Sequence, residues 1–261
     1  GLNLSEKGHD VFGIRRDASQ ITPPIHPIEA DLFSQLPELP DKLDYIFYIV
    51  SAPSFNDMAY YKAYVMGLKH LLEALKAQTT PKRLFFISSS SVFAQSEGEK
   101  VTEDSPTEGK NFSSRRLLEG EELALNSAIP GTVIRFGGIY GPGRTHLIDM
   151  VLEGKAHCME DVYSNRIHSE DCVGLLAHLM EQPNLDALYI GVDDEPTLTC
   201  EVYEWLAEQL SVSNIEHLEP TENSRAQRSN KRLSNAKVKA TGYQFKYPSY
   251  REGYSELLES L

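Results

Sequence analysis

No run of apolar residues in this chain approaches the roughly 20 that a bilayer-crossing helix requires, so a membrane partner is not expected. A basic surplus is missing too: 25 Lys and Arg stand against 38 Asp and Glu, for a net charge of −13. Without a basic face to displace counterions, nucleic acid is not expected as a partner. The one basic run, Arg225 to Arg232, is interrupted by Asn, Ser and Gln and reads as a solvated loop. Cysteine is scarce, and Cys158, Cys172 and Cys200 are widely spaced and odd in number. They read as small buried apolar residues of a protein in the reducing cytoplasm, with no metal-ligand arrangement. No charged-then-apolar leader precedes the first strand, so nothing marks the chain for export. Internal repeats and low-complexity segments are also absent.

What is present points to an α/β protein. The 261 residues suffice for a sizeable core. Leu84 to Ile87 form an apolar run too short for a helix, followed at once by Ser88-Ser89-Ser90-Ser91. Hydroxyls therefore sit at the carboxyl end of a buried strand, which is the edge where open α/β sheets bind ligands.

Around that strand the pattern alternates. Gly1 to Lys7 reads as the end of a helix closed by Gly8, and Val11 to Ile14 as a strand with Arg15-Arg16-Asp17 at its carboxyl end. Pro23, Pro24 and Pro27 predict an extended linker to a polar turn at Glu29 to Asp31. Tyr45 to Val50 is a second strand, and Ala59 to Lys76 a long helix with Val65, Leu68, Leu71, Leu72 and Leu75 at helical spacing. Residues 94–111 read as a surface loop, Phe112 to Asn126 as a helix, and Thr132 to Phe136 as a strand closed by the turn Gly137 to Gly143. Further on come a helix at Leu147 to Gly154, a strand at Ser164 to His168, and a helix at Asp171 to Met180 with Val173, Leu175, Leu176 and Leu179 facing a core. A strand at Leu188 to Val192 and helices at Thr199 to Leu210, Asn235 to Ala240 and Tyr250 to Leu258 follow. Strands separated by helix-length segments imply right-handed crossovers and a doubly wound parallel sheet.

Gly8-His9-Asp10-Val11, Asp31-Leu32, Val65-x-Gly67-x-x-x-Leu71, Ser88-Ser89-x-x-Val92-Phe93, Arg135-x-x-x-x-Tyr140-Gly141-Pro142-Gly143, Ile167-His168-x-x-Asp171 and Tyr247-Pro248-x-Tyr250 occur in this order. Together they resemble the extended short-chain dehydrogenase/reductase family, the NAD(P)-dependent epimerase/dehydratase group. The resemblance implies a Rossmann-like fold with a small C-terminal substrate domain. The dinucleotide domain would cover residues 1–143, completed by 169–210, and the substrate domain residues 144–168 and 211–261. Aligned on Gly8-His9, the first strand and its glycine-rich phosphate turn would lie upstream of Gly1, since an interior strand missing from a parallel sheet leaves unpaired backbone beside Val11 to Ile14.

By the same resemblance Arg15, backed by Arg16, stands where NAD-preferring members place a carboxylate, and a guanidinium there suits a 2′-phosphate. NADP is therefore favoured over NAD. Asp31 and Leu32 would flank the adenine, Ala52 the ribose and pyrophosphate, Ser88 the cofactor, and Gly137, Gly138 and Ile139 the nicotinamide. Ser89 matches the residue that holds the substrate hydroxyl. The family's proton-moving tyrosine is replaced by Phe112 and its lysine by Arg116, so the usual acid/base role is vacant. Tyr64 could supply a phenol instead, or pack beneath the sheet. Ser90, Arg144 and Arg166 are the candidate substrate contacts, the arginines as anion ligands or as surface ion pairs; His168 is assigned no chemistry. The implied activity is an NADP-dependent oxidoreductase, epimerase or dehydratase acting on a nucleotide sugar or related carbonyl or hydroxyl compound, possible as a homodimer through helices 59–76 and 112–126. Phe112 keeps open a catalytically silent dinucleotide-binding module.

Overall fold

The elements of the computed structural model, which describes residues 1–213, 215–218 and 229–259, begin with a short helix α1 (Leu2–Glu6) ended by Gly8 at φ +87°, a conformation glycine adopts without strain. Strand β1 (Phe12–Arg15) pairs in parallel with β2 (His26–Glu29), where a linker was expected. Pro27 is tolerated there because β2 has a single hydrogen-bonded neighbour among the described residues. Next come β3 (Tyr45–Tyr48), α2 (Asp57–Tyr60), a π-helical turn at Tyr61–Met66 and α3 (Gly67–Leu75). The long helix expected at 59–76 is thus interrupted. The buried Tyr48 hydroxyl donates to the Ala63 carbonyl at 2.5 Å, and a Cβ on Gly67 would lie 2.6 Å from that hydroxyl. A side chain inserted into the backbone ladder accounts for the wider turn.

The chain continues through β4 (Arg83–Ser89), β5 (Lys100–Val101), α4 (Phe112–Leu125), β6 (Gly131–Phe136), β7 (Gly138–Tyr140), α5 (His146–Leu152), β8 (His157–Cys158), β9 (Tyr163–Ser164) and β10 (Arg166–His168). It ends with α6 (Ser169–Glu181), β11 (Leu188–Gly191), β12 (Thr197–Leu198), α7 (Thr199–Gln209), β13 (Glu216–His217), β14 (Arg232–Leu233), α8 (Ala236–Ala240) and α9 (Tyr250–Glu259). Among the described residues β3, β4, β6 and β11 form a parallel sheet in the order β11-β6-β4-β3. The fold is the expected α/β, Rossmann-like one. Besides β1–β2, four extended pairings were not expected: part of the glycine-rich turn is β7, parallel to β10; residues 100–101 of the presumed loop pair with β14; β8 pairs in parallel with β13; and β12 runs antiparallel to β9.

Two compact units divide the chain. The first comprises Gly1–Ser88, Glu108–Ile134 and Pro183–Leu188. Its core gathers Ile46, Tyr48, Leu68, Leu71, Leu75, Leu84, Phe86 and Val133, with Ile14 and Leu32 packed against it. Leu84, Phe85 and Phe86 are fully buried, each worth about 1.5–3 kcal/mol in transfer free energy. Helix α4 begins on an Asn111 capping box, the Asn111 side chain accepting from the Ser114 amide at 2.9 Å.

The second unit comprises Ser89–Thr107, Arg135–Gln182 and Tyr189–Leu261. Its core joins Tyr140, Ile148, Val151, Val202, Leu206, Tyr250, Tyr254 and Leu257. The C-terminal aromatics pack as expected: Asp171 accepts from the Tyr243 hydroxyl at 2.8 Å and the Tyr247 amide at 2.9 Å. Val173 is the exception on α6, 45% exposed where a core contact was expected. Cys158 and Cys200, read as separate apolar residues, instead form a disulfide; only the buried Cys172 is a free thiol. Of the basic run, residues 225–228 lie outside the described residues, and Arg232 belongs to β14.

Candidate active site

In the first unit, the strands deliver polar groups at their carboxyl ends. β1 finishes in Arg15, which is exposed, as is Arg16; the Arg15 Nη1 donates to the Gln20 carbonyl over 3.4 Å. Asp17 is exposed as well and turns onto its own loop, accepting from the Ser19 hydroxyl and amide and from Gln20, contacts that hold its carboxyl below the usual range. Asp31 and Leu32 follow β2 half-buried; the Asp31 carboxylate accepts from the Phe33 amide at 3.0 Å, and the Leu32 carbonyl from His70 Nδ1 at 2.7 Å.

Ala52 lies in the exit loop of β3, and its backbone is hydrogen-bonded to the Tyr64 phenol. The π turn carries Tyr64, and burial is the main cause that raises its phenol above the ordinary range. Around it stands an aromatic wall. Tyr60 lies 5.4 Å from the Tyr64 ring and 5.4 Å from Phe112, and Phe112 lies 4.9 Å from Phe55, itself 75% exposed. Phe112 therefore has apolar contacts and no proton to give.

One turn along α4, the Arg116 guanidinium forks onto Asp57 at 2.7 and 3.0 Å, meets both Glu119 oxygens at 2.9 Å and covers the Tyr61 ring at 5.0 Å. These carboxylate bonds raise its pKa above an already high value. Ser88 is buried, its hydroxyl donating to Glu121 on α4 at 2.5 Å. Asp57, Phe55, Tyr60 and Glu121 were all missed from sequence. The Asn56-Asp57 pair, a helix cap directly after a strand exit, is the signal that could have found Asp57.

In the second unit, Ser89 closes β4 half-buried, with its hydroxyl accepting from the Ser91 amide at 3.2 Å; Ser90 begins the short turn that follows. Gly137 and Gly138 donate their amides to Gly191 at 3.0 Å and Asn165 at 2.9 Å. A Cβ on Gly137 would fall 2.8 Å from Val192, so only glycine fits there. Ile139 registers against Ile167. Arg144 is exposed, but Arg166 is 4% exposed, which removes the surface ion pair as an account of it. Its Nη2 donates to the Ser164 hydroxyl at 2.6 Å, its guanidinium lies 5.6 Å from the Tyr250 ring, and among the described residues Nη1 has no hydrogen-bond partner. Asp193, also missed, is buried near it and pushed up to about 8 by that burial. His168 stays structural: it is buried, burial lowers its pKa, and it accepts from the Glu170 amide at 3.3 Å.

A family model described as "NAD dependent epimerase/dehydratase family" matches residues 2–190. A Methylobacillus flagellatus protein assigned as an NAD-dependent epimerase/dehydratase is 31% identical, with 99% of this chain and 92% of that one aligned at a TM-score of 0.79. The human epimerase family protein SDR39U1, solved with NADPH, is 19% identical over 100% of this chain and 94% of its own, with a TM-score of 0.78, a likeness of fold. A 3-diazoavenalumate denitrifying reductase from a Streptomyces species is 31% identical over 145 residues, 50% of this chain; the matched stretch spans about half of that relative, 46% of its length. Among the described residues no helix is long and apolar enough to cross a membrane.

Proposed function

The chain belongs to the NAD-dependent epimerase/dehydratase family, and from that premise we propose that it is an NADP-preferring oxidoreductase acting on a nucleotide sugar or a related carbonyl or hydroxyl compound. The observation that carries this reading is that Arg15, Ala52 and Ser89 each stand at or just past the carboxyl end of a parallel strand. The residues fit a dinucleotide: two exposed guanidiniums at a strand end suit a 2′-phosphate, and glycine at 137 and 138 permits close approach to a flat ring. The nicotinamide, when bound, supplies hydride exchange.

The chain's own part is to hold and to move protons. Ser89 positions the substrate oxygen, and the Tyr64 phenol, carried by the π turn and bonded to the Ala52 backbone, is the group offered for proton transfer in place of the absent tyrosine at 112. Arg116 binds the cofactor ribose without entering the chemistry. Ser90, Arg144 and Arg166 contact the substrate, with segments 144–168 and 211–261 as its domain. A homodimer through the helices at 59–76 and 112–126 belongs to the same reading, on the likeness to the family alone.

Paired titrations with NADPH and NADH test the cofactor preference. NADPH should bind at least about tenfold more tightly, the worth of one charge-assisted contact, and Arg15→Ala should erase the difference. Equal affinities in the parent would overturn the preference for NADP. The aromatic packing of Phe112 favours a second reading, a silent cofactor-binding module, which binding without turnover would establish.

A further inference from the structure

Within the second unit, three potential metal ligands, Cys158, Glu204 and His217, meet beside a disulfide, and a fourth, Cys200, is the residue bonded to Cys158. Cys158 on β8 is the register partner of His217 on β13, and Cys200 and Glu204 lie four residues apart on α7, so they share one helix face. The Cys158 Sγ, a Glu204 carboxylate oxygen and a His217 ring nitrogen all lie within 4.8 Å of one another, and His217 Nε2 is 3.4 Å from Glu204 Oε1. Cys158 is fully buried while the Glu204 and His217 side chains are more than half exposed. The Cys158 sulfur thus forms the floor, with Cys200 half-buried beside it, and Glu204 and His217 form the rim, open to an entering ion.

We propose that Cys158, Cys200, Glu204 and His217 form a thiol-gated site for a divalent zinc-like cation: closed when the two sulfurs are joined, and open when they are reduced. Two thiolates, an imidazole and a carboxylate are the soft and borderline donor set that favours zinc in four-coordinate geometry. A dithiol reductant gives two electrons and two protons, is itself oxidised to its cyclic disulfide, and breaks the Cys158–Cys200 bond into two thiols. The entering cation then displaces both thiol protons to solvent as the metal–sulfur bonds form. In the disulfide form the sulfurs bear no negative charge, and Glu204 and His217 alone make a weak exposed pair. The arrangement gives the chain a redox-dependent tie between β8, α7 and β13, separate from the strand-end residues assigned to the proposed oxidoreductase.

Cobalt(II) serves as the coloured probe. The full chain, reduced with a dithiol and desalted without air, should take up one cobalt per chain with a thiolate charge-transfer band and visible tetrahedral bands that zinc bleaches. The untreated disulfide form should show neither. His217→Ala, an exposed change that leaves the core intact, should weaken uptake at least about tenfold, and Cys200→Ser, which leaves one of the two thiolates, should remove about half of the charge-transfer intensity. Cys172→Ser should change nothing, since that buried thiol is pushed up to about 12 and lies outside the cluster. A reduced chain without the sulfur band, a bond that resists the dithiol while the chain stays folded, or equal cobalt uptake in parent and His217→Ala would each overturn the proposal.

Discussion

The Arg116 guanidinium grips the Asp57 carboxylate with two parallel bonds, at 2.7 and 3.0 Å, and so fastens α4 to α2. The planar fork fixes where the positive charge points, which an ammonium could not do. If Arg116 binds the cofactor ribose, Arg116→Lys keeps the charge but loses that aim. NADPH affinity should fall by about tenfold while the circular dichroism spectrum stays the same. Unchanged affinity by calorimetric titration would separate Arg116 from the cofactor.

Tyr64, on the π turn, is tied to the exit loop of β3 by its bond to the Ala52 backbone. Tyr64→Phe preserves the ring packing and removes only the hydroxyl. Turnover should drop by about 10²-fold, the lower range for a lost acid/base group, with KM little altered. A variant as active as the parent would return Tyr64 to a packing role.

Asp193 gives a pH signature. Burial lifts its folded pKa to about 8, above the ordinary carboxylate value, with the Arg166 charge acting in the opposite direction. The folded chain therefore holds a proton that the unfolded chain releases between about pH 4 and pH 8, and stability falls as pH rises across that window. Asp193→Asn should lack this contribution: the melting midpoint of the variant should gain on that of the parent from pH 5 to pH 8 and then run parallel. A constant gap across the range would mean that Asp193 ionises normally.

Gly120 marks a close approach of α4 to β4 and the π turn. A Cβ there would lie 2.6 Å from Phe86 Cζ and 2.6 Å from the Tyr64 carbonyl. Gly120→Ala gains helix propensity but collides with backbone, and denaturant unfolding should show a net loss of about 1–3 kcal/mol.

The strands of the four-stranded sheet, β3, β4, β6 and β11, were legible because each is a short apolar run whose polar successors lie at one edge, as at Leu84 to Ser89. Helix α4 was legible from its Leu periodicity. The π turn was not, since it follows from the Tyr48 hydroxyl reaching Ala63, a contact between residues 15 apart. Nor was β2, where Pro27 argues against a strand unless the strand stands at an edge. Of the candidate residues, Arg15, Tyr64, Ser89 and Gly137 came from motif position, whereas Glu121 and Asp193 carry no motif and become visible only through their partners, and Asp57 is marked only by the Asn56 cap before it. The cysteines show the same limit: sequence separation says nothing about two residues 42 apart whose Cα atoms lie 4.7 Å from each other.

Loss of the reduced-nicotinamide absorbance, followed while the protein is incubated with NADPH and a panel of sugar nucleotides and simple carbonyl compounds, tests the proposed activity most directly. The account predicts substrate-dependent oxidation of NADPH by at least one member of the panel, abolished in Ser89→Ala. Tight NADPH binding with no oxidation across the panel would contradict it and leave the chain a silent cofactor-binding module.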